Sequence, residues 1–374
     1  MTTILHVTEA AFAGTLYAIT DIAREQSKEP GTTVVFAYAP RPESPDISTV
    51  RELAGPRVRV LRLTSEASLA SAAILARLGG LLRELDPDVI HLHSSRAGLI
   101  GRLVVLASGA RRRTVYSPHG LASERTVSSS SMRAVYTHLE RAGARIAPAL
   151  ALCSMSEQSL VQKKIPEART AVLANSVDVD RLQVIARSHR PGTERAIPEI
   201  VHVGRITEQK LAGLFGRIAE SWHQVSDQPV RFRWIGDGDR TLLPSSVDIT
   251  GWLDRDELLR VLATADLVLF TTASEGLPMA LLEAQAMGIP VVASKVTGVV
   301  DVVEDEVTGL LGDSEDELRA AASALIADPA RRRDMGAAAT ARIAAEFDMS
   351  SLAKRTFAAY AELGIDIPVL EGIS

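Results

Sequence analysis

Cysteine is nearly missing. Cys153 stands alone in 374 residues, which excludes an internal disulfide and fits a reducing compartment. Aromatic residues make up only 4% of the chain, too few for a base-stacking surface, so no nucleic-acid partner is expected. No apolar run reaches the length of a membrane span. The opening MTTILHVTEA has no basic segment ahead of an apolar run and reads as a strand, so no secretory signal is expected. Repeats of solenoid period are absent as well. Charge of one sign is scarce overall, at −5, but unevenly spread. Residues 1–180 hold 21 Lys and Arg against 17 Asp and Glu, a balance of +4; the rest holds 20 against 29, a balance of −9. A mildly basic first half is compatible with an anionic membrane surface, and equally with ordinary scatter of solvated charge.

What is present is alternation. Hydrophobic content of 46% and the length suit two domains with full cores. Strand patterns at 3–7, 33–39, 58–63, 89–93, 113–117 and 149–154 alternate with helical ones, among them 17–27, 69–85, 96–107 and 132–145. A second series of strands runs at 199–203, 230–234, 247–250, 267–270, 291–293 and 309–311. Such alternation predicts parallel sheets covered by helices, with ligands at the carboxyl ends of the strands. Pro191-Gly192-Thr193 is polar and breaker-rich, and marks a linker over 187–198. The expected domains are 1–186 and 199–348, with an amphipathic tail carrying Phe347, Leu352, Phe357 and Tyr360 so that 349–374 returns to the first. Two doubly wound domains of this kind face each other across a cleft, the usual place for a ligand.

The most informative stretch is Phe270–Pro290, FTTASEGLPMALLEAQAMGIP. An apolar strand precedes it, and good helix formers fill Met279–Met287 until Gly288 and Pro290 stop the helix. Pro278 suits the first turn, where a missing N–H costs nothing. The helix start offers free N–H groups to an anion. Glu275 on the loop and Glu283 on the helix suit neutral hydroxyls. Anion at one edge and polyol at the other is what a nucleotide sugar requires.

Other strand ends add to this. Gly204 permits close backbone approach, Arg205 offers a fork of donors, and Lys210 adds a point charge, a pair suited to a diphosphate. Ile235-Gly236-Asp237-Gly238-Asp239 holds an Asp-x-Asp, the pattern of a divalent metal site, but lies in a glycine-rich turn and reads as capping carboxylates. Thr250-Gly251-Trp252-Leu253 either contacts a base through its backbone or packs. In the first half, Thr8–Thr15 offers only Gly14 for a phosphate. Ser94 or Ser95 is expected to cap the helix after His93. Pro118-His119-Gly120 forces a turn past a strand, leaving His119 structural or placed against a bound sugar. Ser123–Ser131 is a serine-rich lid, acceptor loop or connection.

The Gly204-Arg205 pair with Lys210, and the E-x7-E of Glu275 to Glu283 around Gly276, Leu277, Pro278 and Met279, resemble the retaining family 4 glycosyltransferases. Ser117–Gly120 looks like that family's acceptor-domain histidine turn, Asn175-Ser176-Val177-Asp178 like its N-G-V-D, and Asp301–Leu311 like its closing pattern. The resemblance implies a GT-B fold and metal-independent transfer from a nucleoside-diphosphate sugar, with no further cofactor. It implies that Arg205 and Lys210 bind the diphosphate and Glu283 the ribose. Glu275 then meets the transferred sugar, beside the N–H groups of Gly276–Met279, and His119 the sugar near its reacting carbon. Gly14, Gly204 and Leu253 complete the implied donor site. Ala13-Gly14 departs from the family's Gly-Gly, and Ser176 from its Gly. The nearest likeness is to bacterial polysaccharide-assembly enzymes, which implies a glycan or lipid-linked acceptor, a cytoplasmic location and peripheral contact with the inner face of the membrane. The competing reading is a nucleotide-sugar 2-epimerase, which has the same architecture and needs no acceptor.

Overall fold

The apolar runs form parallel strands buried on both faces, as expected where helices cover both sides of a sheet. The structure, a computed structural model, describes residues 1–64, 71–124, 130–190 and 197–367. The linker centre 191–193 and most of the serine-rich segment 123–131 lie outside the described residues.

The chain divides into two compact units. Among the described residues, the first takes those up to 124, 130–176 and 349–367, and the second 177–190 and 197–348. The first unit's strands are β1 (Thr2–Thr8), β2 (Thr32–Tyr38), β3 (Val58–Arg62), β4 (Val89–His93), β5 (Thr114–Ser117), β6 (Ala149–Leu152) and β7 (Arg169–Val172). All pair in parallel in the order β3-β2-β1-β4-β5-β6-β7. Leu5, Val7, Ile90, Leu92, Tyr116 and Leu150 point to one face, under Leu78, Leu81 and Val105. Ile4, Val89, Val115 and Ala149 point to the other, where Leu352, Phe357 and Tyr360 of the last helix, Leu352–Glu362, pack. On that second face the row turns polar toward the carboxyl ends, with His6, His91, His93 and Ser117 all buried. Arg102 and Glu140, from the helices Ser95–Ser108 and Ser130–Ile146, form a buried ion pair at 2.9 Å, and Tyr116 donates its hydroxyl to Glu140 at 2.9 Å.

The second unit's strands are β8 (Glu199–Val203), β9 (Arg231–Ile235), β10 (Val247–Ile249), β11 (Leu267–Phe270), β12 (Val291–Ser294) and β13 (Gly309–Gly312), in the parallel order β10-β9-β8-β11-β12-β13. Phe215, Phe232, Trp234, Leu267 and Leu269 lie in its core. The break between units falls between Ser176 and Val177, ahead of the expected linker. The reason is local. Asp178 caps the helix Val179–His189 by accepting from Arg181 N–H at 3.0 Å. Gln183 then donates to the Ala286 carbonyl, and Arg190 to that of Met287 at 2.9 Å, which fastens this helix to the second unit. Phe347 also stays with the second unit, where its carbonyl accepts from Val177 N–H at 3.0 Å. Among the described residues no helix is long and apolar enough to cross a membrane.

Candidate active site

In the second unit the strand order reverses between β8 and β11. A doubly wound sheet opens its crevice at such a point, beyond the carboxyl ends of the strands. Two loops flank it: Gly204–Lys210 after β8, and Thr271–Pro278 after β11. The first is pinned by backbone bonds, Gly204 N–H to the Ile235 carbonyl at 3.0 Å and Ile206 N–H to that of Asp237 at 2.9 Å. At Gly236, with φ of 137°, a Cβ would run into the Gly204 carbonyl, so the glycines let these loops touch.

Lys210 reaches across the switch point. Its Nζ lies 2.6 Å from Glu275 Oε1, with both side chains mostly buried. Thr272 donates its hydroxyl to the same oxygen at 2.7 Å. Glu275 N–H donates to the Thr297 carbonyl at 3.3 Å, and Gly298, at φ of 77°, passes so close beneath that a Cβ there would strike the Glu275 and Gly276 carbonyls. The loop is thus held from two sides. Pro278 then stands at the N-cap of the helix Met279–Ala286, with no side-chain cap hydrogen bond. The N–H groups of Met279 and Ala280 have no partners within the helix and set a positive dipole end beside Glu275, while that of Leu281 turns back to the Pro278 carbonyl at 3.1 Å.

Glu283 differs from a solvated helix carboxylate. It is 2% exposed and ion-paired to Arg255. Burial raises its pKa, against the opposing pull of Arg255. Arg255 opens the helix Arg255–Leu262, just after Leu253 and the N-cap Asp254, which accepts from Glu257 N–H at 2.8 Å. The preceding Trp252 does not pack into the core; it is 52% exposed, and the Arg205 guanidinium lies 5.8 Å from its ring centroid. The structure therefore couples Lys210 with Glu275, Arg205 with the Trp252-Leu253 loop, and Glu283 with Arg255.

The Asp-x-Asp carboxylates are occupied locally. Asp237 takes both guanidinium contacts of Arg240 at 2.8 Å, and these with the Gly238 N–H lower its pKa to about 2. Asp239 accepts from Thr241 N–H at 3.1 Å and caps the short turn Arg240–Leu242.

His119 lies in the first unit, at φ of 53°. Both ring nitrogens are engaged there, Nε2 with His93 Nδ1 at 3.0 Å and Nδ1 with Cys153 Sγ at 3.5 Å. Burial lowers its pKa to about 4. Glu157 steadies the turn by accepting from Gly120 N–H at 3.0 Å and Cys153 N–H at 2.8 Å. Two expectations fail in this unit. Gly14 is not in a loop: it sits inside the helix Ala13–Gln26, and Ala13 takes the left-handed conformation, with φ of 48°. Neither serine caps the helix after His93. Ser94 holds the N-cap position but donates its hydroxyl to Glu9 at 2.5 Å, and Glu9 accepts from Ala97 N–H at 2.8 Å. A carboxylate is the stronger acceptor for a helix start, so it displaces the hydroxyl.

Comparison with known proteins settles the family. Residues 14–181 match the model described as Glycosyltransferase Family 4, and residues 197–328 the model described as Glycosyl transferases group 1. The chain belongs to the family 4 glycosyltransferases. A UDP-Gal:alpha-D-GlcNAc-diphosphoundecaprenol alpha-1,3-galactosyltransferase of Escherichia coli is 26% identical over 62% of this chain and 64% of its own length. The chain thus covers less than two thirds of that relative. Among solved structures, a sucrose-phosphate synthase from Thermosynechococcus elongatus superposes with a TM-score of 0.79 at 19% identity, over 97% of this chain and 99% of the other. Anabaena HepE in complex with UDP-glucose gives 0.76 at 20%, over 96% and 100%. These likenesses show the GT-B fold.

In this family 4 glycosyltransferase, sequence reading passed over Arg255, Thr272 and Glu9. Thr272 and Glu9 sit one or two residues beyond strand ends, where ligand-site residues gather, and that position was the available signal. His91 and His93 were missed as well; alternate histidines in an otherwise apolar strand place two polar rings on one buried face.

Proposed function

We propose that this chain is a retaining, metal-independent hexosyltransferase. It moves a sugar from a nucleoside-diphosphate sugar to a glycan or lipid-linked acceptor in cell-surface polysaccharide synthesis. The observation that carries this reading is the Lys210–Glu275 pair at the switch point, beside the start of the helix Met279–Ala286. The diphosphate takes Lys210, Arg205 and the helix start. Glu275, released from Lys210, accepts a hydroxyl of the transferred sugar. Glu283 serves the ribose, Leu253 the base through its backbone, and His119 the sugar. In the reaction the bond from the anomeric carbon to the phosphate oxygen breaks. The acceptor oxygen attacks from the same face, and its proton passes to the departing diphosphate. The cations stabilise the charge that develops on the leaving group, in an oxocarbenium-like transition state. Metal independence is supported by the two cations and by the local partners of Asp237 and Asp239.

A lipid-linked acceptor is supported by the relative whose name carries diphosphoundecaprenol. The first unit also shows two apolar stripes, Leu99, Leu103 and Leu106 on one helix and Met132, Val135 and Leu139 on the next, each 42–50% exposed. Arg111 and Arg112 follow the first helix and are exposed. Apolar residues beside cations suit an anionic bilayer, which supports a position at the inner face of the membrane.

The test is incubation of the full chain with UDP- and GDP-sugars and an undecaprenyl-diphosphate-linked saccharide, in chelator. The reading requires an α-configured product from an α-linked donor and turnover that survives the chelator. Conversion of the donor with no acceptor present would instead identify an isomerase.

A further inference from the structure

The carboxyl half of the first sheet's second face is lined with polar groups that touch one another in sequence. Ala151, on β6, offers a carbonyl, which only accepts. Ser117 Oγ donates to it at 2.6 Å. Ser117 has spent its one proton, so it accepts from His91 Nε2–H at 2.8 Å. His91 Nδ1 is then a lone pair and takes the Tyr360 hydroxyl proton at 2.8 Å. Tyr360 oxygen accepts from Gln26 Nε2 at 3.3 Å, which turns Gln26 Oε1 toward His6 Nε2–H at 2.7 Å. His6 Nδ1 accepts from His93 Nε2–H at 2.9 Å, and His93 Nδ1 from His119 Nε2–H at 3.0 Å. His119 Nδ1 is left facing the Cys153 thiol at 3.5 Å. One carbonyl thus dictates the proton positions of eight further groups, with no donor opposed to a donor.

All four rings must be neutral for this to hold. Burial keeps His6 and His119 down to about 4, and His91 and His93 well below the ordinary histidine value. Burial pushes the Cys153 thiol well up, with Glu157 adding to it, so it keeps the proton it donates.

We propose that this one-way relay fixes His119 as the Nε2–H tautomer and leaves Nδ1 as an acceptor for a hydroxyl of the donor sugar, making Gln26, Tyr360, His6 and His93 positioning residues. The sugar contact rests on the function proposed above; the relay does not. A thiol is a weak donor, and a sugar hydroxyl displaces it readily. A phosphate, which has only acceptors to offer, finds no proton at that nitrogen. His119 therefore reads a polyol and not the diphosphate. One ring nitrogen from each of His6, His91 and His93 lies within 4.8 Å of the other two, close enough to draw in a metal ion, but every nitrogen of the three rings is already used in the relay.

Imidazole 1H–15N correlation spectra of the full chain, labelled at histidine nitrogen and free of ligand, test this at pH 7. The relay requires His6, His91, His93 and His119 all as the neutral Nε2–H form. Gln26→Leu should leave His91 in that form, held by Tyr360 and Ser117, while His6, His93 and His119 become mixtures. Cys153→Ala should leave all four as they are. A filler role for Gln26 would not separate His91 from the others. A Nδ1–H or doubly protonated ring among the four in the unaltered chain overturns the relay, and that spectrum decides the matter even where Gln26→Leu fails to fold. One bound metal per purified chain, with His6, His91 and His93 perturbed, overturns it too. In the transfer assay Gln26→Leu should lower kcat at least fivefold with UDP affinity unchanged. Unchanged kcat with the predicted tautomers keeps the relay and removes its role at the sugar.

Discussion

His6 and His202 stand near the carboxyl ends of β1 and β8, the first strand of each sheet, and both are fully buried. Their surroundings are opposite. His202 lies between the rings of Trp234, at 3.8 Å, and Phe270, at 5.0 Å, and makes one hydrogen bond to the Thr271 carbonyl at 3.1 Å. His6 has a hydrogen-bond partner on each nitrogen and further histidines beyond. One topology therefore tolerates two ways of burying a neutral ring, by stacking and by relay. Stacking leaves the second unit's polar chemistry to its loops, where Lys210, Glu275 and Arg205 lie. The relay carries polarity through the first sheet to the turn at His119. The lesson is that the sheet of the second unit is scaffold, whereas that of the first also orders the side chains above it.

The largest expected effect that sharpens this contrast comes from the buried ion pairs. Arg102→Met strips the cation from Glu140, and Arg255→Met from Glu283. Leaving a buried carboxylate unpaired costs about 3–5 kcal/mol, with the larger loss at Arg255→Met, because Glu283 is 2% exposed whereas Glu140, at 9%, keeps the Tyr116 hydroxyl. Urea unfolding measures both losses, and Glu140→Gln in the Arg102→Met background should recover part of the first. Acid should separate the units next. Folded-state pKa values below the unfolded one mean that the unfolded chain binds more protons, so stability is full above about 6.5 and falls as pH drops. The window runs to about 4 for His6 and His119 and to about 3 for His202. Each pH unit of lowering is worth ~1.4 kcal/mol per site, so the first unit, with four such rings, should lose hydrogen-exchange protection before the second. Equal loss in both would erase the contrast.

Within the second unit, Glu275→Ala removes the carboxylate that holds Lys210. Calorimetry should find UDP bound no more weakly, since the diphosphate no longer competes for the ammonium, while transfer falls roughly tenfold or more from the lost sugar contact. The smallest effect is expected at Trp252→Ala. An exposed cation–π contact is worth ~0.5–1 kcal/mol, so UDP affinity should fall about two- to fivefold through the loosened Arg205.

Much of this was legible in the chain itself. The central strands β11 and β12 of the second sheet are short, largely apolar runs, because both faces are covered, and apolar runs are read easily. β7, Arg169–Val172, was not; it is a four-residue edge strand with an exposed arginine and too little alternation to show. The two loops at the switch point were legible because their charges follow strand ends within a few residues. Their partners were not. Lys210 and Glu275 are 65 residues apart, and Glu9 caps a helix 88 residues on, so only the folded register brings them together. The unit break was misplaced for the same reason: the bonds of Gln183 and Arg190 to Ala286 and Met287 outweigh the local breaker signal.

The central claim is that the second unit binds a nucleoside diphosphate through the cation that Glu275 now holds. Titration of UDP into the full chain and into Lys210→Ala tests it most directly. A lost charge-assisted bond is worth roughly 1.5–3 kcal/mol, so affinity should fall about ten- to a hundredfold while the unfolding midpoint barely moves. Equal UDP affinity in the two proteins would contradict the account.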